Sequence, residues 1–517
     1  MSSVRTKLFL SIGSIRVLSN YARLAVTFTS GLITVRVMGE IGTAALSTYL
    51  LTLALTGFAQ FGKIVLRESA IPLLGLHWSE DSKRLSFAAR TVIHGSVFAA
   101  TFAAIAFVLF WITADLFDTG ILRPSSVAIA FTCAGLQLIV SSLAMPALSA
   151  LLVSKRLIAY NLALAMERLA EVIAVFAVYL LLSEESQSVQ FSVFYVIATF
   201  LYIGVQGFVW LAASSGGSRA LFALQSTTAS WRDEVAFIRP FASYNLMIVI
   251  GFLLHQRLST LLGNVLYGEE GILLFGIAFI LVSYMHQITL GLAIGLDAFA
   301  SRLRSGEDGQ ELLISSTIAQ AAVAAMTLTS IWILGEPMVR LWVGGTLEDS
   351  GVGSRDIAFV ASILTIGTFA RTVSESWMKI LNGRGAVGDY APSIFAGALI
   401  HASILVLVAI AALEMGVAIP LIAASYSAIH VVVHLWVVPG RVGTRMGVPR
   451  TALLRIVAFW IVLFAGLAMA CTAAASWLYI LLAPTLTVLF LSLGGRRLVR
   501  LVAGLGSRHA ASTDGAR

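Results

Sequence analysis

Residues 365–382 read TIGTFARTVSESWMKILN, an apolar run that carries Arg371, Glu375 and Lys379 four residues apart. On a helix that spacing stacks the three side chains one turn above another on a single face. Such a face can bind an anion, exchange a proton or neutralise itself. Other charges are set into apolar runs in the same way: Arg23, Arg168 and Arg257 among the cations, Glu167 and Glu171 among the anions. Arginine offers a planar fork that stays charged and matches phosphate or carboxylate oxygens. A carboxylate in the same surroundings suits a proton or a cation.

The elements that position these groups follow from composition. The chain has 517 residues, of which 58% are hydrophobic and 12% charged, and its mean hydropathy is +0.92. Soluble proteins carry about 25% charged residues. Apolar runs of membrane-crossing length recur from end to end, so the fold class is an all-α polytopic membrane protein. A basic isoelectric point near 9.6 follows from topology here, and no nucleic-acid partner is expected. The first apolar run carries Arg23 and Arg36 and reads as a retained span, with no cleavable signal peptide. Cys133 and Cys471 lie inside apolar runs and read as small buried hydrophobes.

Fourteen spans are expected: 16–38, 44–66, 88–112, 126–152, 158–182, 190–213, 238–264, 272–296, 314–335, 357–381, 392–413, 417–438, 454–472 and 476–494. With the N-terminus in the cytoplasm, 26 of the 34 lysines and arginines fall on the cytoplasmic side. Four fall outside (Arg36, Arg123, Arg340, Arg355) and four lie deep in spans. That bias is the positive-inside pattern, and it places both termini in the cytoplasm of a cell (plasma, inner) membrane protein. The short outer loops carry acids, at Glu184–Glu185, Glu269–Glu270 and Glu348–Asp349.

A charge at a helix centre costs about 2.5–3.5 kcal/mol on insertion scales, so the deep charges should face protein or a watery cavity. Polar stripes at three-to-four spacing agree: Asn20, Arg23, Thr27, Ser30 and Thr34 in the first span, then Thr48, Thr52, Thr56, Gln60 and Lys63 in the second. Thr365, Thr368, Arg371 or Thr372, Glu375 and Lys379 form a third, and His255–Arg257 and Ser283–Gln287 add polar clusters in the seventh and eighth. Plainer readings stand beside these. Arg371 and Glu375 make a neutralising pair, Lys379 snorkels to headgroups, and Glu167, Arg168 and Glu171 form a packing network. Arg36 reads as an interfacial anchor. Arg23 and Arg257 have no acid one turn away, which favours an anionic ligand. His255 and His286 suit either proton relay or plain hydrogen bonding. The glycines of GLAIG at Gly291–Gly295 suit close helix packing.

The spans divide into an N-terminal six-helix lobe (1–213), a cytoplasmic connection (214–237), a second six-helix lobe (238–440), an additional helix pair (441–496) and a disordered tail (497–517). SNYARL at 19–24 and SYNLMI at 243–248 hint that the lobes are pseudo-repeats. No GxxxxGK[ST] loop, HExxH, Cys/His cluster or GxSxG occurs, so no ATPase, metal site or hydrolase is expected, and no cofactor. The cations outnumber the acids, which argues for an anionic substrate.

The segment RVMGEIGTAALSTYLLTLALTGFAQFGKIVLRESA (36–70) resembles the first helical hairpin of the polysaccharide flippases, the O-antigen and exopolysaccharide translocases of the multidrug/oligosaccharidyl-lipid/polysaccharide superfamily. Length, span count, the two six-helix halves and cytoplasmic termini match across the chain. The resemblance implies two lobes around a cationic central cavity that opens alternately to either side. It implies that no enzymatic step occurs and that a polyprenyl-diphosphate-linked oligosaccharide passes from the cytoplasmic to the outer leaflet. Related lipid II flippases add a helix pair that forms a groove for the lipid tail, to which 454–494 would correspond. Arg23, Arg257 and Arg371 would then contact diphosphate or acidic sugars, and Asn20, Thr27, Gln60, His255 and His286 would hydrogen-bond sugars. Glu375 or Glu167 would serve ion coupling, and a polysaccharide polymerase with its chain-length machinery would be the partner.

Three rivals differ in what they require. A cation-coupled multidrug exporter of the same superfamily wants acids where this chain has arginines. A major-facilitator anion or sugar transporter wants an acidic–Arg–Gly–Arg–Arg-like loop after the second span, where this chain reads KIVLRESAIPLLG. A membrane polymerase or glycosyltransferase wants a large catalytic loop, and the acid-bearing outer loop at 336–356 is short.

Overall fold

A backbone in hydrocarbon has only itself to hydrogen-bond with, so apolar runs become helices. A computed structural model describes residues 2–77, 82–154, 156–215, 230–293, 296–300, 306–347, 350–474 and 478–492, and among these every regular element is helical. In chain order the helices begin with α1 (Ser2–Ile41), α2 (Thr43–Ala59), α3 (Phe61–His77) and α4 (Ser82–Ile112). Next come α5 (Pro124–Leu143), α6 (Met145–Val153), α7 (Leu157–Leu181) and α8 (Gln187–Ser214). The long α9 (Trp231–Ala293) and short α10 (Leu296–Ala300) precede α11 (Gly306–Leu347), α12 (Ser354–Gly383) and α13 (Ala391–Ile410). The chain closes with α14 (Met415–Val431), a π-helical turn (Val432–Val437), α15 (Val438–Met446), α16 (Arg450–Ala474) and α17 (Leu478–Ser492).

Ten of these helices are long and apolar enough to cross a membrane, or eleven if α2 and the start of α3, bent by 50°, count as one span. Fourteen were expected, and three particulars account for the difference. Helix α7 carries Glu167, Arg168 and Glu171 close together, which is more charge than an apolar span tolerates. The last helix, α17, is short. The third particular is α9, which contains two expected spans joined at Gly268, whose φ of 59° and ψ of −140° are not helical. A Cβ on Gly263 would lie 3.1 Å from the carbonyl oxygen of Gly271, whereas eight residues of continuous helix would separate the two by about 12 Å. The chain therefore doubles back at Gly268, and α9 is a hairpin of two helices. Asn264 holds the turn by accepting from the Asp118 amide (3.1 Å) and donating to the Asp118 carbonyl (2.9 Å). Asp118 in turn accepts from the amides of Gly120 and Glu269.

The chain forms two compact units, one of residues 1–276 with 345–352, the other of 277–344 with 353–517. In the first, α7 packs on α1 and α8, and α5 packs on α4 and α8. In the second, α12 packs on α14, α10 and α15, and α16 on α15 and α17. Tyr479 of α17 shares a hydrogen bond with Thr329 of α11, which ties the last helix to that unit. Each unit is inverted relative to a soluble protein. Phe98, Leu180, Phe200, Ile410 and Val462 are all more than two-thirds exposed, while Asn20, Thr34, Thr48, Thr365 and His401 are buried. Of the expected connection, 216–229 lie outside the described residues, as do the tail 497–517, Glu348–Asp349, the last two residues of GLAIG and 475–477 between the final helices.

The turn at Gly268 has a measurable consequence. A β-branched residue there meets an unfavourable φ and puts its Cβ 2.5 Å from Asp118 Oδ2. Gly268→Val should cost about 1–2 kcal/mol or more and lower the melting midpoint of the detergent-solubilised protein. Gly204→Ala, with open space around the added Cβ, should leave it unchanged. Equal midpoints for both variants would contradict the hairpin.

Candidate functional site

The first unit gathers its charges on α1, the α2–α3 bend, α7 and the first half of α9. The stripe of α1 faces inward, with Asn20, Ser30 and Thr34 buried. Asn20 Oδ1 accepts from Asn161 Nδ2 of α7 at 3.2 Å, and Thr27 Oγ1 donates to the Arg23 carbonyl at 3.0 Å. Gln60 occupies the break between α2 and α3, where its amide donates to the carbonyl of Thr56. One turn beyond, Lys63 lies within electrostatic reach of Glu167, Arg67 and Arg168. Arg67 pairs with Glu68 at 2.9 Å and is in reach of Tyr160 and Glu167.

Helix α7 is the hub. Arg168 pairs with Glu171 at 3.0 Å and sits within reach of Arg23, Lys63 and Arg257. Glu167 accepts from Gln206 Nε2 of α8 at 2.7 Å. The Arg168 side chain is 45% exposed at mid-span, and hydrocarbon would not tolerate that, so the group faces a watery hollow. Arg257 reaches the same hub by lying across Gly57 of α2, where an added Cβ would fall 2.5 Å from its Nε. Glycine is required at position 57 to let the guanidinium pass. His255, two residues earlier, is buried, and the Ser259 hydroxyl donates to its carbonyl.

Charge matching within this group is incomplete. Glu68, Glu167 and Glu171 answer Arg67, Lys63 and Arg168. Arg23 and Arg257 have arginines as their charged neighbours, and Arg23 Nε is buried with no hydrogen-bond partner among the described residues. The group can therefore hold about two negative charges on forked donors.

The second unit places the remaining expected residues together on α12. Glu375 is buried between Arg371, whose Nε is 3.9 Å from its Oε1, and His286, whose Nε2 is 3.7 Å away. Both distances exceed a hydrogen bond, so the trio is an electrostatic cluster. Opposite Glu375, His286 Nδ1 shares a 2.8 Å hydrogen bond with Thr372 Oγ1. Gln320 of α11 donates to the Thr372 carbonyl at 2.9 Å, and Trp377 donates to Thr317 at 2.8 Å, which fixes the face of α12. Arg371 and Glu375 are a loose pair and so do not fully neutralise each other. Among the described residues no group of His, Cys, Asp and Glu could hold a metal ion.

Sequence reasoning treated Lys63 and Arg67 as cytoplasmic charges and Arg168 as packing, whereas all three join Arg23 and Arg257. It passed over Gly57, which carries no polar signal, and it did not single out His401, His430 and His434. The spacing of four between His430 and His434 was the available sign.

No protein-family model matches the chain, and no curated protein matches by sequence. Among solved structures, the chain is similar to the lipid II flippase MurJ in an inward closed conformation, with a TM-score of 0.64 and 11% identity over 94% of this chain and 100% of that one. It is also similar to the eukaryotic MATE transporter AtDTX14, at TM-score 0.58 and 13% identity, over 87% and 99% of the two chains. A third likeness is to a MOP superfamily transporter from Pyrococcus furiosus described by the reverse polarity of its binding pocket, at TM-score 0.56 and 12% identity, over 84% and 96%. The chain thus has the helical fold seen in MOP superfamily transporters.

Proposed function

We propose that the chain is an alternating-access flippase that carries a polyprenyl-diphosphate-linked oligosaccharide from the cytoplasmic to the outer leaflet of the cell membrane, for polysaccharide biosynthesis. The observation that carries this reading is the cation group of the first unit, where five cations meet three acids and leave Arg23 and Arg257 uncompensated. A diphosphate brings the missing negative charge and the oxygen geometry that forked guanidinium donors match. Thr27, Gln60 and Tyr160 border the group and suit sugar hydroxyls. Moving an anion outward across an inside-negative membrane is favourable by about 2.3 kcal/mol per charge per 100 mV, so no nucleotide is required.

The fold likeness supports the same reading, since it spans 94% of the chain for MurJ and 83–87% for the MATE transporters. The reading carries with it two six-helix lobes, at 1–213 and 238–440, an added helix pair that forms a lipid groove, cytoplasmic termini and a polymerase partner. A second reading, a cation-coupled multidrug exporter, draws on the MATE likeness and on buried Glu375 beside His286.

Two experiments separate these readings. Purified protein should bind inorganic pyrophosphate with an affinity that falls as salt rises. Arg23→Gln and Arg257→Gln should each weaken binding about tenfold, equal to roughly 1.4 kcal/mol. Gly57→Val should do the same by displacing Arg257 without touching its charge. Cells lacking the protein should accumulate an unflipped polyprenyl-diphosphate glycan, rescued by the wild type and poorly by Arg257→Gln at equal expression. An unchanged glycan pool together with new sensitivity to cationic drugs would favour the exporter.

A further inference from the structure

Three histidines of the second unit lie outside the cation group and outside the Arg371–Glu375–His286 trio. His401 of α13, His430 of α14 and His434 of the π turn are 0%, 1% and 2% exposed. They form a row. The His401 ring meets Tyr426 edge-on at 6.2 Å, Tyr426 lies 4.1 Å from His430, and His430 stacks on His434 at 5.3 Å between ring centres. The far end of the row reaches α12, where His434 Nδ1 and Ser374 Oγ are 2.6 Å apart.

Hydrogen bonding settles which nitrogen of each ring carries the hydrogen. The Ser374 hydroxyl has one proton and donates it to the Arg371 carbonyl at 2.8 Å, so it accepts from His434 Nδ1. Likewise Ser425 donates to the Ile422 carbonyl and accepts from His401 Nδ1. His430 Nδ1 donates to the Tyr426 carbonyl at 3.0 Å. In all three rings Nε2 is the basic atom. The rings stack and do not converge on a point, which fits no metal ion. They are also too buried for a sugar. Neutral imidazoles in such a setting have one remaining chemistry, which is to take up a proton. The π turn is a second, independent sign, since such turns cluster at functional positions of helices.

The surroundings decide when a proton is held. The titratable and charged groups facing His430 are His434 on its own helix, His401 on α13 and Arg371 on α12. Glu375 stands beyond Arg371, whereas Arg441 and Arg445 of α15 are exposed. Arg371 also reaches His286 on the other side of α12. A cationic ring beside Arg371 is repelled, and the repulsion ends once an anion covers the guanidinium.

We propose that the His401–His430–His434 row is a proton-binding site whose occupancy is tied to the charge at Arg371, so that an anion on Arg371 and one proton on the row bind together. The step is a proton passing from water to an imidazole Nε2, which converts one neutral ring to imidazolium. It rests on the flippase reading only for the identity of the anion.

The test is nitrogen-15 NMR of histidine-labelled protein in nanodiscs, practical because the chain has eight histidines, with His430→Asn and His434→Asn used for assignment. Arg371→Gln should move the midpoint of protonation of the His430–His434 pair about one pH unit upward, and Glu375→Gln should move it downward. Arg371→Lys should match the wild type. Unfolding would drive both neutralising variants toward the same free-histidine value, so opposite movements cannot arise from it. Midpoints that coincide in Arg371→Gln and Glu375→Gln would overturn the proposal. Inorganic pyrophosphate added to the wild type should act as Arg371→Gln does. If the variants move the midpoint and pyrophosphate does not, the row stands and the assignment of Arg371 to the substrate anion falls.

Discussion

Every feature of this chain depends on the cost of an unsatisfied polar group in hydrocarbon. That cost makes the apolar runs helical, sends large apolar side chains outward and draws threonine, asparagine and histidine inward. It also makes the deep charges informative. A surface arginine in a soluble protein carries little meaning, but Arg23 or Arg257 within a span must have a partner or a watery hollow. The tight turn at Gly268 belongs to the same economy. Its open backbone groups are met by Asn264 and Asp118, both of which give side-chain bonds to main chain.

The two units meet that constraint in different ways. In the first, acids answer most of the cations but not all, and the excess sits on residues made for phosphate geometry. In the second, one acid lies loosely between an arginine and a histidine, and a second set of imidazoles stays neutral behind it. An excess of fixed charge attracts a ligand, whereas a balanced cluster with neutral bases responds to one. A chain with both has the parts for binding and for coupling in separate places.

Much of this was legible in the sequence because helix phase is regular. The stripes through Asn20–Thr34, Thr48–Lys63 and Thr365–Lys379 all face inward, since 3.6-residue periodicity survives folding. What could not be read were relations across helices. Arg168 looked like a member of a local network, because Glu167 and Glu171 are its neighbours in sequence, while its reach to Arg23, Lys63 and Arg257 comes from packing. Gly57 was silent because its role is to be absent from the path of Arg257. The span count was higher than the helices' length and apolarity support, since α7 is too charged and α17 too short. The doubling back at Gly268 was read correctly as two spans, although the backbone hydrogen-bond pattern runs through as one helix.

The π turn at Val432–Val437 has a consequence for chain length. Such a turn holds one residue more than the α-helical turn it replaces. Deleting a single residue there would let the helix close as α and would rotate Val438–Met446 by about 100° relative to His430. The buried side of that segment, Val438, Val442 and Met446, would swing toward a different neighbour without any change of residue type. Insertions and deletions between 432 and 437 are therefore changes of phase. Two chains that differ by one residue there can be alike in every side chain and still present different faces to α12.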